Sequence, residues 1–565
     1  IDTEFARFQP GTARGAGGNA YLDDFEGSKI SLDMKGITQW KLASTPQDNL
    51  FPEGKSDSLD YGYNRAKLAW YIVDPIFYRM STATPSHIRA DKEQRSNHFV
   101  REIRQTELFP DKDLAVGDVN IIPALSVAYY PTEKGPYNFT TDVDRDGKLR
   151  NPEKRWGGMM RSITTSDFET ANVQYIEIWL MDPFVYDNRH KGGDVYFDLG
   201  NVSEDILKDG RKAFENGLPA GPDIRHVDTT RWGRVPGVQS ITNGFDNNSQ
   251  ARRYQDVGLD GMNDEDERIF YAAYLETLRR TFGENSKVYR EAWNDPAGDN
   301  YHFFRGSDYD ALETPVLERY KQYNGTEGNS PTADMSPESY PTAATTLPDV
   351  EDINGDNTLN ETEAFFRYHL ELRPEKMKVG ENFITNITTS SVELPNGSTE
   401  EIKWYQIKIP LSAHESDYGG ISDFKSIRFM RMLMRGFQDS IVLRMAGLDL
   451  VRDNWRKYEG ALDGQLTSSA RTVFDISVVN LEENASRTPV NYVMPPEIER
   501  VVDASNPQLR ELNEQALALK VIDLPENDSR AVYKMFGKDL LRYKTLKMDV
   551  HAEAVEGYPL QDDEL

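Results

Sequence analysis

Apolar and polar residues alternate with a period of two over much of this chain. LKMDVHAEA (546–554) sets Leu, Met, Val and Ala against Lys, Asp, His and Glu. YQIKIPL puts Tyr405, Ile407, Ile409 and Leu411 in register, and QYIEIWLMD aligns Ile176, Ile178 and Leu180. Successive strand side chains point to opposite faces, so these segments predict half-buried strands of antiparallel sheets. Three stretches also resemble one another: VQYIEIWLMDPF (173–184), KSIRFMRMLMRGF (425–437) and YKTLKMDVHAEAV (543–555). The first two lead into a second strand, GGDVYFDLGNVSEDI (192–206) and DSIVLRMAGLDLVRDNW (439–455). The pattern reads as one sandwich module used three times, the third copy ending at QDDEL without a return strand, as expected of a fragment of a longer protein.

Helical spacing is confined to PQLRELNEQALAL (507–519) and NDEDERIFYAAYLETLRRTF (263–282). The expected fold is mainly β, with repeated antiparallel β-sandwich modules of jelly-roll type and loop or helix insertions. Residues 1–215 form a first module and 216–375 a polar connector. Residues 376–460 form a second module or the completion of the first, and 461–565 a truncated third.

Composition narrows the function. The chain has 565 residues, 38% of them hydrophobic and 11% aromatic, enough for real cores. Its 93 acidic and 65 basic residues give a net charge of −28, which repels nucleic acid and anionic lipid and attracts cations. There is no cysteine, so neither disulfides nor thiolate metal sites are available. IDTEFARFQPG is not a signal peptide, and no apolar run approaches the roughly 20 residues of a membrane helix.

Acidic loops are the clearest chemical motif. DVDRDGKLRNPE carries Asp142, Asp144 and Asp146 at positions 1, 3 and 5, Gly147 at 6, Lys148 at the backbone-ligand position 7 and Glu153 at 12. Carboxylates supply hard oxygen donors, glycine permits the sharp turn, and the last glutamate can chelate with both oxygens, the ligand order of an EF-hand calcium loop. DINGDNTLNETE repeats it with Asp352, Asn354, Asp356, Thr358 and Glu363, and with Asn357 where glycine is usual. DVGLDGMNDEDE keeps Asp256, Asp260, Asp264 and Glu267, but Gly258 supplies no side-chain ligand. An acidic chain also makes solvated acidic turns, yet three loops ending in glutamate argue for calcium. The first loop is flanked by YYPTEKGPYNFTT and NPEKRWGG, neither of which supports a long helix. Sensors need such helices, so the metal reads as a structural staple.

Other chemistry is weaker. DDFEGSKISLDMKGITQW (23–40) resembles the opening of carbohydrate-binding jelly rolls, with Trp40, Trp70 and Tyr71 as the rings available for a platform. Large aromatics more often fill cores, and that reading is preferred. Glu177 is the one carboxylate isolated in an apolar run, and a strand glutamate is more often an edge or a salt-bridge partner than a catalyst. No HExxH, GxSxG, Walker loop or dinucleotide fingerprint occurs, so no enzyme is expected.

Several long phrases together resemble the SprA/Sov family of Bacteroidetes. Among them are YLDDFEGSKISLDM, YNRAKLAWYIVDPIFY (63–78), YYPTEKGPYN (129–138), WGGMMRSITTSDFETANVQYIEIWLMDPF (156–184), RYQDVGLDGM (253–262) and NEQALALKVIDL (513–524). The resemblance runs through nearly the whole chain. It implies a soluble portion of a giant outer-membrane β-barrel, the translocon of the type IX secretion system, which exports folded cargo and is tied to gliding motility. The implied partners are other type IX components and secreted cargo proteins, with no nucleic acid. The implied location is the outer membrane, the extracellular face being favoured over the periplasmic one because such barrels place their long insertions outside. The alternatives are a cell-surface glycan-binding jelly-roll protein and, further off, a glycoside hydrolase.

Overall fold

The computed structural model describes residues 29–553 apart from 115–116, 240–241, 325–326, 331–346, 459–471, 488–490, 497, 499, 501–510, 526–527, 536–544 and 546–547. The chain divides into two compact units, Ser31–Arg452 and a second made of Ile1–Ile30 with Asp453–Leu565.

The larger unit is an antiparallel sandwich. Besides a small connector hairpin, Val227–Thr229 with Arg234–Pro236, the strands of its two large sheets in chain order are β1 (Ile30–Asp33), β2 (Lys41–Leu42), β3 (Ala66–Ile72), β4 (Leu125–Lys134), β5 (Trp156–Ser162), β6 (Val173–Met181) and β7 (Gly193–Asn201). After the connector come β8 (Ala364–Leu372), β9 (Ile384–Glu393), β10 (Thr399–Pro410), β11 (Ser416–Asp417), β12 (Phe429–Arg435) and β13 (Ile441–Arg452). One sheet runs β9-β10-β6-β13-β4-β3, with β1 also on β13, and the other runs β11-β8-β7-β12-β5-β2.

The first two resembling segments, 173–184 and 425–437, are therefore interleaved in one sandwich, and the third, 543–555, is no part of it. β6 lies between β10 and β13, pairing Ile178 with Ile407 and with Leu448. β7 lies between β8 and β12, pairing Phe197 with Tyr368 and with Met432. Strands from 1–215 and 364–460 thus complete each other, and the connector expected to run to 375 ends before β8 at Ala364. Alternate residues of both sheets, such as Ile176, Ile178 and Leu180 facing Phe197, Met430 and Met432, form the central core. Each such buried side chain contributes about 1.5–3 kcal/mol of transfer free energy.

The alternation predicts half-buried strands, but β6 is buried on both faces. Its outward Trp179 and Met181 join Trp404, Ile103 and Leu108 in a second apolar layer, because the segment before β4 folds over that sheet. Tyr71, Tyr130, Phe304 and Tyr320 cover the β3–β4 end of the same sheet. On the other sheet, Trp156, Met160, Phe365 and Leu433 meet Trp232, Leu259, Met262 and Tyr271 from the connector. Insertions therefore cap both outer faces.

Residues 263–282 form two helices, Asp264–Phe270 and Ala272–Phe282, meeting at Tyr271. In the smaller unit Val473–Asn480 pairs with Gln515–Ile522, Asn480 opposite Gln515. The predicted helix 507–519 is corrected there: its described end is strand, since Gln515, Leu517, Leu519 and Val521 also alternate and a partner strand outweighs the helix propensity of Ala and Leu. Residues 507–510 lie outside the described residues. Of the predicted strand 546–554, residues 546–547 and 554 lie outside them too, and 548–553 form no strand.

Candidate metal centre

The connector buries carboxylates where it has little regular structure, and most of these accept backbone N–H groups. Glu351 accepts from Ile206 (2.8 Å) and Leu207 (3.1 Å) on one oxygen and from Ala213 (2.8 Å) on the other. Glu204 accepts from Ile353, Asn354 and Asn360, and Glu215 from Val257, Gly258 and Asp349. A buried N–H without a partner is costly, and a carboxylate with two oxygens satisfies several at once.

One group differs. Asp260, Glu267 and Asp299 place one carboxylate oxygen each within 4.8 Å of one another, and so do Asp264, Glu267 and Asp295. The first trio is buried, with Glu267 0% and Asp299 6% exposed, while Asp264 and Asp295 are half-buried. Glu267 accepts from Ala297 N at 2.8 Å through Oε2, but its buried Oε1 has no hydrogen-bond partner. Asp299 accepts from Tyr137 Oη at 3.0 Å through Oδ2, and its buried Oδ1 is likewise unpartnered.

Local structure explains how the five meet. Asn263 caps the Asp264–Phe270 helix, accepting from Glu265 N and Asp266 N, which sets Asp264 and Glu267 one turn apart. Asp260 precedes the cap, held by Met262 N (3.0 Å) and Tyr271 Oη (3.3 Å). Asp295 ends the helix Lys287–Asn294 and accepts from Gly298 N and Asp299 N, folding NDPAGDN into a turn that returns Asp299 to the group. Gly258, at φ +78°, has to be glycine, because a Cβ there would collide with the Asp299 carboxylate.

Electrostatics make the crowding costly. Burial, then Asp260 and Asp295, push Glu267 up to about 10. Burial and neighbouring carboxylates drive Asp260 and Asp299 well above the usual range, and burial with Asp295 lifts Asp264 to about 6. Asp295 is raised by burial, with Lys67 opposing. Such a group is neutralised by protons or by a cation, and an all-oxygen donor set suits a hard one. A cavity of about 30 Å³ is lined by Asp299, Lys67 and Tyr137, and Asp299 is the member of the acidic group that faces it.

The predicted loops fare differently. Asp260 and Glu267 converge, but Asp256 is held elsewhere by Ser330 N, Ser330 Oγ and Arg252. Among the described residues, no three of Asp142, Asp144, Asp146 and Glu153 come within 4.8 Å of one another. Asp142 faces Arg155 at 3.3 Å, Asp144 accepts from Asp146 N and Lys148 N, and Glu153 sits in the short 3-10 helix Pro152–Lys154. Asp352 accepts from Asp356 N and Asn357 N, Asn354 from Asp356 N, and Asp356 from Thr358 N. Asn357 does take the left-handed conformation, φ +67°. Glu363 leaves this set: its oxygens bind Arg431 at 2.8 Å each and Ser203 N, because it fills a charged site under β12. Trp40, Trp70 and Tyr71 are buried, so they form no exposed platform. Glu177, on a central strand, accepts from Gln406 and faces Lys408 at 3.8 Å.

Sequence reasoning missed Asp295 and Asp299. The signal available was NDPAGDN itself, an Asp-x-x-x-Asp turn with Pro and Gly directly after a helix, alike in composition to many other turns here.

The molecule so described is a β-sandwich scaffold with an acid-pinned connector. The family model for a motility related/secretion protein, SprA_N, matches residues 273–565, over half of the chain. The chain belongs to that family, in agreement with the SprA/Sov phrases. No curated protein matches it.

Proposed function

We propose that this chain is a water-exposed portion of the outer-membrane translocon of the type IX secretion system, an extracellular cap that takes part in export of folded proteins and in gliding motility, with a recognitive and mechanical role and no catalysis. The observation that carries the reading is the SprA_N match. The fold supports it. Both outer sheet faces are covered by the chain's own insertions, and among the described residues no helix is long and apolar enough to cross a membrane. Its partners are then other type IX components and secreted cargo.

These 565 residues contain no cysteine, so an introduced thiol adds one new labelling site to this region. Asn285→Cys, exposed between two helices, is placed in the parent protein and intact cells are treated with a membrane-impermeant maleimide. Labelling above the unsubstituted parent is expected. Labelling only after the outer membrane is permeabilised contradicts the extracellular assignment. Normal surface delivery of cargo after in-frame removal of 31–452 contradicts the export role.

A further inference from the structure

We propose that Asp260, Asp264, Glu267, Asp295 and Asp299 hold two calcium ions side by side, with Glu267 as the ligand common to both. The two trios share only Glu267, so the geometry describes two adjacent positions. Glu267 Oε1 and Asp299 Oδ1 are unpartnered while their residues are more than nine-tenths buried, unlike Glu351 or Glu204, whose oxygens are taken by backbone N–H groups. A buried charged oxygen without a donor points to a cation.

The donors select the ion. Five carboxylates and no imidazole or thiolate disfavour zinc and copper, and a crowded protein cage suits calcium better than magnesium, which keeps its waters. The two trios set the number. With all five carboxylates ionised the centre carries −5, which two divalent ions and the Lys67 that acts on Asp295 would balance, in keeping with the two positions that meet at Glu267. Asp295 and Asp299 lie outside all three predicted twelve-residue loops, so this is no EF-hand. The ions tie the Asp264–Phe270 helix to the 295–299 turn. This inference stands apart from the secretion reading and survives its failure.

The test is calcium stoichiometry by elemental analysis of the purified chain after gel filtration in calcium-free buffer, with terbium luminescence as a second readout. Tyr137 and Tyr271 hydrogen-bond Asp299 and Asp260, so bound terbium is expected to be sensitised and displaced by calcium. Two calcium ions per chain are expected. Glu267→Gln should lose both, and Asp299→Asn and Asp295→Asn one each. Asp142→Ala with Asp352→Ala should retain two. Should Glu267→Gln not fold, Asp264→Asn and Asp295→Asn alter only half-buried ligands and should still drop the count to one. No bound calcium, one ion per chain in the parent, or two ions surviving Glu267→Gln in folded protein would each overturn the proposal.

Discussion

The sandwich and the connector bury acidic residues in different ways. In the sheet, Asp198 lies between Arg367 and Arg431, bonded to both, and Glu363 completes the group through Arg431. Burial works to raise Asp198, yet the two guanidiniums hold it below the ordinary carboxylate range. In the connector and the turns just before it, Glu351, Glu204 and Glu215 are held mainly by backbone N–H groups, against a burial that raises all three. The difference follows from the backbone. A β-ladder satisfies its own N–H groups, so a buried acid there needs a cationic side chain. Irregular chain has N–H groups to spare, and acids pin it. The five-carboxylate centre has too little of either.

Substitutions sharpen this contrast. Arg431→Met strands Glu363 and leaves Asp198 to Arg367 alone, and should cost about 3–5 kcal/mol, read as a lower denaturant midpoint of the sandwich. Glu351→Gln turns a donor toward the Ala213 N–H and should cost about 1–3 kcal/mol. Its signature is faster hydrogen exchange around 206–213 with the β6 and β10 ladders unchanged; equal loss in both regions would break the distinction.

A pH effect tests the sheet in another way. Lys134, between Thr140 O and Tyr274 Oη, is lowered to about 7 by burial and then by Arg155. Below pH 7 both folded and unfolded states carry the proton, and the cost of burying the charge is full. From pH 7 toward the unfolded value of 10.5 the unfolded chain binds more protons, so this group's contribution to stability rises with pH, by at most about 1.4 kcal/mol per unit. The stability of Lys134→Met relative to the parent should therefore fall as pH rises from 7 to 10. A difference independent of pH would contradict this. Smallest is Asp142→Ala with Asp146→Ala, expected to change stability by less than about 1 kcal/mol, because Asp142 is half-exposed and Asp146 exposed.

The same contrast explains what could be read from the chain. Strands such as QYIEIWLMD and YQIKIPL were legible because their alternation is local, and NDEDERIFYAAYLETLRRTF was legible as helix. That β6 is covered on both faces was not, since the cover comes from a segment far away in sequence. QALALKVI misled because Ala and Leu favour helix until a partner strand is present. For the acidic centre, Asp260 and Glu267 could be found by spacing within one loop. Asp295 and Asp299 could not, because a turn about 30 residues later delivers them. Glu363 matched the loop pattern but its carboxylate went to Arg431, which no spacing rule reveals.

On the two-calcium proposal, cations hold the connector's acidic centre while the sandwich holds itself. Hydrogen exchange with and without a calcium chelator tests it most directly. Chelation should speed exchange at Met262, Ala297, Gly298 and Asp299, whose amides bond the centre's carboxylates, and leave Ile178 and Ile407 in the sheet protected. Unchanged exchange at 260–299, or equal loss in connector and sheet, would contradict the account.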